Sequence, residues 1–446
     1  MSRRADVSRP RPQSRALQLG VMLIVCVLVG LAPPAFAAAG ALDPSFGSAG
    51  VQRLPLAHCF SGCSSMMAVQ PDGKIVIVGE GLDDCHCGPG PRNHLKIARL
   101  RSNGTLDPSF GSGGIVTRAT SGSADGLLVD RAGRIVVLVG QVLWRFTSNG
   151  RFDANFTYAP LSTIDPGFYP VAVAEQVRDG VSKYVVTGTS DMALFNAARF
   201  NNDGSQDAHF GIGGVARVPQ LGTNGNTGGW WGVKNIVIEP ATSKIVLAGS
   251  VDDSEDERGA ALVRFTADGR TDRTLGRFGY VRYDTDHWMG DFGRGLALTG
   301  QGKIVVTGSD LVHKPNVRNY NFGVSRFHTD GSPDTSFSID GHVETDLRGY
   351  RDEARSLAIQ PDGKVVVGGS EEKVTYDSDG RLMSVEHHFG LVRYLPTGAL
   401  DRSFGNGGRV VSNFGGDGLS VAVYGNRILI AGGRVTIPLT VARYTG

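Results

Sequence analysis

Apolar and polar residues alternate along this chain in short segments of strand length, and most segments end at Gly, Asp or Asn. Representative stretches are "MMAVQPDGKIVIVG" (66–79), "LKIARLRSNG" (95–104) and "GGIVTR" (113–118). Alternation with a period of two, or a continuous apolar run of four to eight residues, is typical of β-strands. Since no segment has the period of an amphipathic helix, the pattern predicts an all-β protein.

The strand-like segments belong to a repeat. A phrase similar to LDPSFG occurs seven times, and every copy has aspartate in its second position. The copies are Leu42–Gly47, Leu106–Gly111, Phe152–Thr157, Gln206–Gly211, Thr271–Gly276, Pro333–Ser338 and Leu400–Gly405. Successive copies begin 46 to 67 residues apart, which is enough chain for four short strands.

Four strands in each of seven units predict a seven-bladed β-propeller of four-stranded antiparallel blades. One small sheet cannot bury both of its faces, so repeated sheets must pack on one another. We expect "MMAVQ" to be innermost, followed by "KIVIVG", "LKIARL" and the outermost "GGIVTR". Residues 38–446 then form one domain. An open β-solenoid is the alternative.

The phase of the repeat predicts how the ring closes. The first strand, near Val51–Leu54, has the character of an outermost strand, whereas the last segment, "TVARY", has that of a third strand. The two ends of the chain would therefore complete one blade together, and no sheet edge would stay exposed.

These phrases resemble the delta-60 repeat, a family of bacterial, mostly exported β-propeller proteins of uncharacterised function. The resemblance rests on "LDPSFGSGG", "QPDGKIVIVG" and "ARLRSNG" and extends from about residue 41 to the C-terminus. It implies a structural repeat without catalytic residues. Two segments depart from the pattern, "FDANFTYAP" (152–160) and "AEQVRDGVSKYVVTG" (174–188), so blades 2 and 3 are the least certain to follow it.

The seven aspartates are expected to be structural. In "NGTLDPSFG" the aspartate follows a Gly turn, where its carboxylate can accept hydrogen bonds from nearby backbone N–H groups. The Phe three residues later, replaced once by Leu275, is predicted to pack between blades. A calcium loop would need more oxygen ligands and a closing glutamate.

Residues 1–37 have the layout of a secretory signal: five arginines, an apolar run from about Leu17 to Leu31, and Ala35-Phe36-Ala37. We expect cleavage after Ala37 or Ala39 and export to the periplasm, the cell surface or the medium. An uncleaved membrane anchor is the alternative, although the run is short for a bilayer span.

The charge of the mature chain is nearly balanced. The signal contains five arginines and one aspartate, so its removal leaves 40 basic and 42 acidic residues of the original 45 and 43. The net charge is then about −2, and no overall basic field indicates binding to nucleic acid or to an anionic membrane. We expect a monomer with no stable membrane span after removal of the signal.

Four cysteines remain after the signal is removed: Cys59, Cys63, Cys85 and Cys87. In an exported chain they predict two disulfides, most simply between the two loops that contain them, because a bridge between Cys85 and Cys87 would be strained. A zinc site with the nearby histidines is conceivable, but the spacing matches no known zinc motif. We therefore predict no metal.

Strand alternation sorts the loops onto two faces. The "PDGK" and "NGTLD" turns are short and lie on one face, called here the short-turn face. The connections on the other face are long and irregular, and this long-loop face is where we expect a ligand or envelope partner to bind.

Three cations and two aromatic residues on the long-loop face form a candidate ligand site. The residues predicted to enter the seven innermost strands form a ring at the channel mouth: Ser65, Asp125, Tyr169, Lys234, Arg294, Arg355 and Leu419. In blades 4 to 6 they are the cations Lys234, Arg294 and Arg355, which could attract a carboxylate or phosphate. Pairing of the two arginines with Asp291 and Asp352, each three residues earlier, is the competing interpretation and the preferred one. Trp231 and Trp288 suit a sugar ring, although packing that holds the long loops in place is the preferred explanation for them.

The function predicted from sequence is an exported binding or interaction scaffold of unknown ligand, with no cofactor and no evident catalytic motif. A metal-dependent hydrolase or lactonase would need several acidic or histidine side chains converging on the channel. The predicted ring offers one aspartate and three cations instead, which is a poor match for a divalent metal. A purely structural envelope component is the third possibility.

Overall fold

The computed structural model describes residues 38–446 except for the segments 57–65, 81–92, 121, 123, 157–160, 162–166, 191–192, 219–220, 222–231, 253–257, 284–291, 315–316, 380 and 435–436. Ala37–Gly446 forms one compact unit. The predicted signal, residues 1–37, lies outside the described residues, so its cleavage stays a prediction. Across the part that is described, no helix is long and apolar enough to cross a membrane.

The regular elements of the described residues are β-strands. In chain order they are β1 (Val51–Arg53), β2 (Met66–Val69), β3 (Ile75–Glu80), β4 (Asn93–Leu100), β5 (Ile115–Thr120), β6 (Ala124–Val129), β7 (Ile135–Val139), β8 (Val142–Phe146), β9 (Tyr169–Arg178), β10 (Val181–Ser190), β11 (Ala193–Phe200), β12 (Val215–Arg217), β13 (Gly232–Ile238), β14 (Ile245–Asp252), β15 (Arg258–Phe265), β16 (Tyr280–Tyr283), β17 (Gly295–Leu298), β18 (Ile304–Lys314), β19 (Val317–Phe327), β20 (His342–Thr345), β21 (Arg351–Ile359), β22 (Val365–Tyr376), β23 (Leu382–Tyr394), β24 (Arg409–Gly415), β25 (Asp417–Tyr424), β26 (Arg427–Arg434) and β27 (Ile437–Thr445).

The strands form seven antiparallel sheets, the blades of a propeller. Blade 1 is β2–β5, blade 3 is β9–β12, blade 4 is β13–β16, blade 5 is β17–β20 and blade 6 is β21–β24. Blade 2 contains β6, β7 and β8; the segment that would supply its outermost strand falls largely outside the described residues. The predicted strand order, innermost to outermost in chain order, is confirmed.

Blade 7 is built from both ends of the chain. Its sheet has the order β25, β26, β27 and β1, so the N-terminal strand is the outermost one. Val51 pairs with Ala442 and Arg53 pairs with Thr440 in an antiparallel register. The predicted closure is therefore confirmed.

The innermost strands line a central channel, and each contacts the innermost strand of the next blade. The contacts run from β2 through β6, β9, β13, β17 and β21 to β25, which contacts β2 again. The ring is closed, which excludes the open solenoid.

The core consists of seven apolar clusters, one between each pair of adjacent blades. Alternate residues of β3, the second strand of blade 1, belong to two different clusters. Ile75 and Ile77 pack against blade 7, whereas Val76 and Val78 pack against blade 2. The central residues of the second strands, such as Ile75–Val78 and Ile135–Val139, are apolar on both faces because each face packs against a neighbouring blade. Each such side chain contributes about 1.5–3 kcal/mol through the apolar surface that it removes from water.

Candidate functional site

The repeated aspartate belongs to a buried contact that joins neighbouring blades and that we call the staple. In blade 5, Arg326 on the third strand donates from Nε to Asp334 Oδ2 at 2.6 Å. Its guanidinium lies 4.7 Å from the ring centroid of Phe337, and its Nη1 donates to the carbonyl oxygen of Pro396 in blade 6 at 2.5 Å. One arginine thus holds its own blade and the next.

All seven blades have the arginine–aspartate pair of this staple, with the arginine eight residues before the aspartate in the first six. Six of the arginines also donate to a carbonyl oxygen in the next blade: Arg99, Arg145, Arg199, Arg264, Arg326 and Arg443. The pairs are Arg99–Asp107, Arg145–Asp153, Arg199–Asp207, Arg264–Asp272, Arg326–Asp334, Arg393–Asp401 and Arg443–Asp43. The Phe or Leu of each copy lies in the cluster between its blade and a neighbour, as predicted.

The second carboxylate oxygen of each aspartate caps the turn. Asp334 Oδ1 accepts from the backbone N–H of Ser336 at 3.1 Å and from its hydroxyl at 2.6 Å. Burial alone would raise the pKa of Asp334, but hydrogen bonds from Lys303, Ser336 and Arg326 outweigh it and hold the pKa below its usual range. The structural role predicted for the aspartates is confirmed, and no ligand is needed to satisfy them.

The predicted cation ring coincides with a recurring β-bulge at the long-loop end of the innermost strands. Lys234 and Arg355 are each the extra residue of such a bulge, as are Asp125 in blade 2 and Leu419 in blade 7. Arg294 comes directly before β17 in blade 5. Bulges change the direction of a side chain and are frequent beside functional sites. The three cations therefore occupy equivalent positions in consecutive blades.

In blade 3 the predicted ring residue is wrong by two positions. Tyr169 is paired with Thr189, and the bulge falls at Val171 instead. Tyr169 is 58 % exposed and lies at the very start of its strand. Period-two alternation does not reveal a bulge, because the inserted residue shifts the register only locally.

Residues that follow the bulges connect the innermost strands to each other. Asn235 donates from Nδ2 to the carbonyl oxygen of Arg294 at 2.8 Å. Ser356 accepts from the backbone N–H of Val421 at 3.1 Å. These contacts fix the backbone at the channel mouth, so the ring residues project from a rigid frame.

The competing interpretation expected Arg355 to pair with Asp352, but Arg355 pairs with another carboxylate. Its Nη2 donates to Glu353, which also accepts from Arg351 at 2.8 Å. The Nε–H of Arg355 is buried and has no hydrogen-bond partner among the described residues.

Asp352 belongs instead to a buried row across blade 6. Asp352, Glu371 and His388 are successive cross-strand partners, so their side chains share one face. Asp352 Oδ2 accepts from the backbone N–H of Leu347 at 2.7 Å, and Arg348 holds Glu371. Burial, together with the negative charge of Glu371, raises the pKa of Asp352 to about 8.

Blade 5 contains a chain of three residues that sequence reasoning did not assemble. Asp310 Oδ2 lies 2.8 Å from His342 Nε2, and Ser325 Oγ lies 2.9 Å from His342 Nδ1. Serine, histidine and a carboxylate form the hydrolytic triad of many enzymes. Ser325 is only 4 % exposed, so a substrate has no access to its hydroxyl. The chain serves here to connect the strands of the blade.

The other predicted site residues lie outside the described residues. These are Trp231, Trp288, Asp291 and the four cysteines Cys59, Cys63, Cys85 and Cys87. The disulfides and the aromatic contribution to the site stay predictions. Within the described ranges, no group of three or more His, Cys, Asp or Glu side chains is arranged to hold a metal ion.

A cavity of about 510 Å³ lies on the short-turn face, between blades 7 and 1. It is lined by the turn of β25–β26, by Gly73 of the "PDGK" turn and by Ser102 and Asn103 of the next turn. Binding was expected on the opposite, long-loop face, so this cavity was not predicted.

Comparison with known proteins identifies the repeat. The family model described as "Domain of unknown function (DUF5122) beta-propeller" matches residues 70–110, 241–275 and 302–337. The chain thus carries repeats similar to those of a propeller family of unknown function. No curated protein sequence matches the chain.

Three of the solved structures that are similar to the chain share little of its sequence. BBS1N in complex with ARL6DN has a TM-score of 0.48 at 11 % identity, covering 92 % of this chain and 98 % of that one. Penicillium chrysogenum α-L-arabinanase has a TM-score of 0.40 at 10 % identity, covering 92 % and 97 %. A putative gluconolactonase has a TM-score of 0.34 at 8 % identity, covering 72 % and 89 %.

Proposed function

We propose that this propeller is an exported binding scaffold that takes an anionic ligand, a carboxylate or a phosphate, at the channel mouth of blades 4 to 6. The observation that carries the proposal is the placement of Lys234, Arg294 and Arg355 at equivalent positions of three consecutive innermost strands. Export, the disulfides and membership of the delta-60 repeat family are parts of the same proposal and rest on the sequence.

The backbone beneath the three cations supports this function. Bulges fix the direction of Lys234 and Arg355, and Asn235 ties blade 4 to the backbone of Arg294. A ligand that meets a preorganised site does not have to order it on binding, so less affinity is lost to conformational entropy. Cations that converge at a channel mouth with low-dielectric walls also raise the local concentration of anions.

The pairing of Arg355 with Glu353 leaves capacity for a ligand. Glu353 is shared between Arg351 and Arg355, and Arg351 also lies 3.9 Å from Glu372. A guanidinium has five N–H donors and can hold two carboxylates at once. The buried Nε–H of Arg355 would gain a hydrogen bond from a bound anion.

Isothermal titration with inorganic phosphate and with citrate tests the proposal. We expect the double variant Arg294→Glu/Arg355→Glu to weaken binding of the better probe by about tenfold or more, since a hydrogen bond to a charged group contributes about 1.5–3 kcal/mol. The matched control is Arg151→Glu/Arg273→Glu, which makes the same change of charge at exposed positions of the short-turn face.

Equal affinity of wild type and the channel-mouth variant for both probes, or equal loss in the control, would contradict the proposal. Elemental analysis of the purified mature protein tests the rival hydrolase hypothesis independently. Stoichiometric zinc or calcium would favour a metal-dependent activity over a simple binding scaffold.

A further inference from the structure

The cavity between blades 7 and 1 has the size and lining of a small-molecule site. Its volume of about 510 Å³ lies within the range of about 300–1,000 Å³ that is usual for ligand pockets. Leu429 and Ile75 supply apolar surface, Tyr424 supplies an aromatic ring, and Arg427 and Arg443 supply two guanidinium groups. An apolar lining with a few polar groups on one side is the usual composition of such pockets.

The first hairpin of blade 7, which lines the cavity, has a shorter turn than the first hairpins of its two neighbours, blades 6 and 1. In blades 1 and 6 this turn has three residues between its paired ends, from Gln70 to Lys74 and from Gln360 to Lys364. In blade 7 only two residues separate Tyr424 from its partner Arg427. The shorter turn leaves space against blade 1.

The residue at the start of this turn also differs between blades 6 and 7, and this difference changes the groups that line the cavity. In blade 6 the buried Gln360 points its carboxamide oxygen toward the staple arginine, Arg393, at 3.5 Å from Nη1. In blade 7 the equivalent Tyr424 is 43 % exposed, and its hydroxyl donates to the carbonyl oxygen of Pro71 at 3.3 Å. The carboxamide acceptor is therefore replaced by an aromatic wall.

In several blades the staple aspartate has a second cationic partner, and in blade 7 this partner is an arginine. Blades 3 to 5 place a lysine against the staple aspartate, for example Lys303 at 2.8 Å from Asp334. Blade 7 places Arg427 against Asp43, which also accepts from Arg443. A lysine is a point charge, whereas a guanidinium has further N–H donors in a fixed plane. The side chain of Arg427 is 39 % exposed, so donors remain accessible from the cavity.

Arg427, Arg443 and Asp43 together carry a net charge of about +1, because the two guanidinium groups share the one carboxylate of Asp43. Burial and the positive charge of Arg427 lower the pKa of Arg443 to about 10. An added anion would relieve the repulsion between the two arginines.

We propose that the cavity between blades 7 and 1 binds a small organic anion, a carboxylate attached to an aromatic or other apolar group. The carboxylate binds Arg427, and the apolar group packs between Tyr424 and the apolar floor at Leu429. Such a ligand touches residues of both blades, so it stabilises the closed ring. The site lies on the face opposite the channel mouth and does not depend on the function proposed there.

Benzoate is a suitable probe, with benzamide as its neutral isostere, in isothermal titration and thermal unfolding of the purified mature protein. We expect benzoate to bind and to raise the Tm. Benzamide should bind at least about tenfold more weakly, because it lacks the charge that pairs with Arg427. Arg427→Gln is expected to weaken benzoate binding by about tenfold or more. Lys364→Gln, at the equivalent position of blade 6, serves as control and leaves binding unchanged within about twofold.

Tyr424→Gln gives a second test that leaves both arginines in place. It introduces the residue found in blades 1 and 6, and we expect the aromatic wall and benzoate binding to be lost together. The channel-mouth variant Arg294→Glu/Arg355→Glu should keep the part of benzoate binding that Tyr424→Gln abolishes, and should lose only the binding that takes place at the channel mouth. The proposal is overturned if benzoate does not bind at up to roughly 10 mM, if benzamide binds equally well, or if Tyr424→Gln binds as wild type.

Discussion

Arg443, on the last strand of the chain, donates from Nε to the carboxylate of Asp43, 400 residues earlier in the sequence, at 3.1 Å. The same arginine bonds Ser45 Oγ at 2.9 Å and lies 4.7 Å from the ring centroid of Phe46. The staple that joins the other blades therefore also joins the two ends of the chain. The ring is closed by a side-chain contact as well as by the pairing of β1 with β27.

Arg443→Gln is expected to open the ring locally. The variant loses about 2–4 kcal/mol of unfolding free energy, because a buried partner of Asp43 is removed. Amide exchange of residues 51–54 should accelerate, since β1 would separate from β27 before the remaining blades unfold. Hydrogen exchange followed by mass spectrometry measures this effect.

Arg326→Gln is the matched control, because it removes the staple between blades 5 and 6, which the chain itself also connects. A similar global destabilisation is expected, with no selective effect on residues 51–54. If Arg443→Gln accelerates exchange in β1 no more than Arg326→Gln does, the closure role assigned to Arg443 is wrong.

The fold could be predicted because the repeat shows its period directly. Seven copies of one phrase fixed the number of blades, and the apolar character of Val51 and of "TVARY" at the chain ends predicted how they pair. The Phe positions could be assigned to the spaces between blades because a large apolar residue must be buried somewhere.

The staple arginines were missed for a physical reason. A charged residue in a strand is normally interpreted as facing solvent, and alternation cannot show that Arg99 or Arg326 is 5–6 % exposed between two sheets. The available signal was the constant spacing of eight residues between arginine and aspartate. The cavity beside Tyr424 was missed because it depends on one residue fewer in a turn, which matters only once the blades are packed.

Acid is expected to destabilise the propeller through the staple aspartates. Burial opposes ionisation of Asp272, but hydrogen bonds from Lys244 and Thr274 and the charge of Arg264 lower its pKa to about 2. Between pH 4 and pH 2 the unfolded chain binds more protons than the folded one, so stability falls as pH decreases. The stabilisation is complete above the unfolded pKa of 3.8 and disappears below about 2.

Asp272→Asn tests this contribution. At pH 7 the variant should lose roughly 1–2 kcal/mol of unfolding free energy, and the difference from wild type should shrink towards pH 2. Urea unfolding at pH 7, 4 and 2 measures it, with exposed Asp179→Asn as the control for charge alone. A difference that stays constant over this range would contradict the lowered pKa.

Asp352 should lower the stability of the propeller as pH rises, whereas the staple aspartates lower it as pH falls. Its pKa is raised to about 8, first by burial and then by the charges of Asp346 and Glu371. The folded state keeps its proton while the unfolded state loses it, so this group's contribution is fully present below pH 3.8 and is lost as pH rises to about 8.

Asp352→Asn therefore stabilises the protein at high pH. The amide oxygen can still accept from the backbone N–H of Leu347, and the amide N–H groups lie beside Glu371. We expect a gain of roughly 1–3 kcal/mol at pH 8 and little change at pH 4, measured by urea unfolding. A destabilised variant at pH 8 would show that the carboxylate is ionised and needed.

The distance between neighbouring blades at the channel leaves no space for a methyl group beside Gly295. A Cβ added there would lie 2.6 Å from Thr307 Cγ2 and 2.8 Å from the backbone nitrogen of Leu357 in blade 6. A Cβ added at Gly300, in the next turn of the same blade, has no atom within 4 Å. Neither glycine has a positive φ, so the two sites differ in space and not in backbone strain.

Gly295→Ala should therefore cost about 1–3 kcal/mol, because blade 5 or blade 6 must shift outward to admit the methyl group. Gly300→Ala should change stability by no more than about 0.5 kcal/mol. Thermal unfolding of the two variants side by side measures the difference. The shift would also displace Arg294 and Arg355, which flank this contact in sequence and in space, so Gly295→Ala should weaken anion binding at the channel mouth together with stability. Equal stability of the two alanine variants would mean that the blades are packed less closely around the channel than described here.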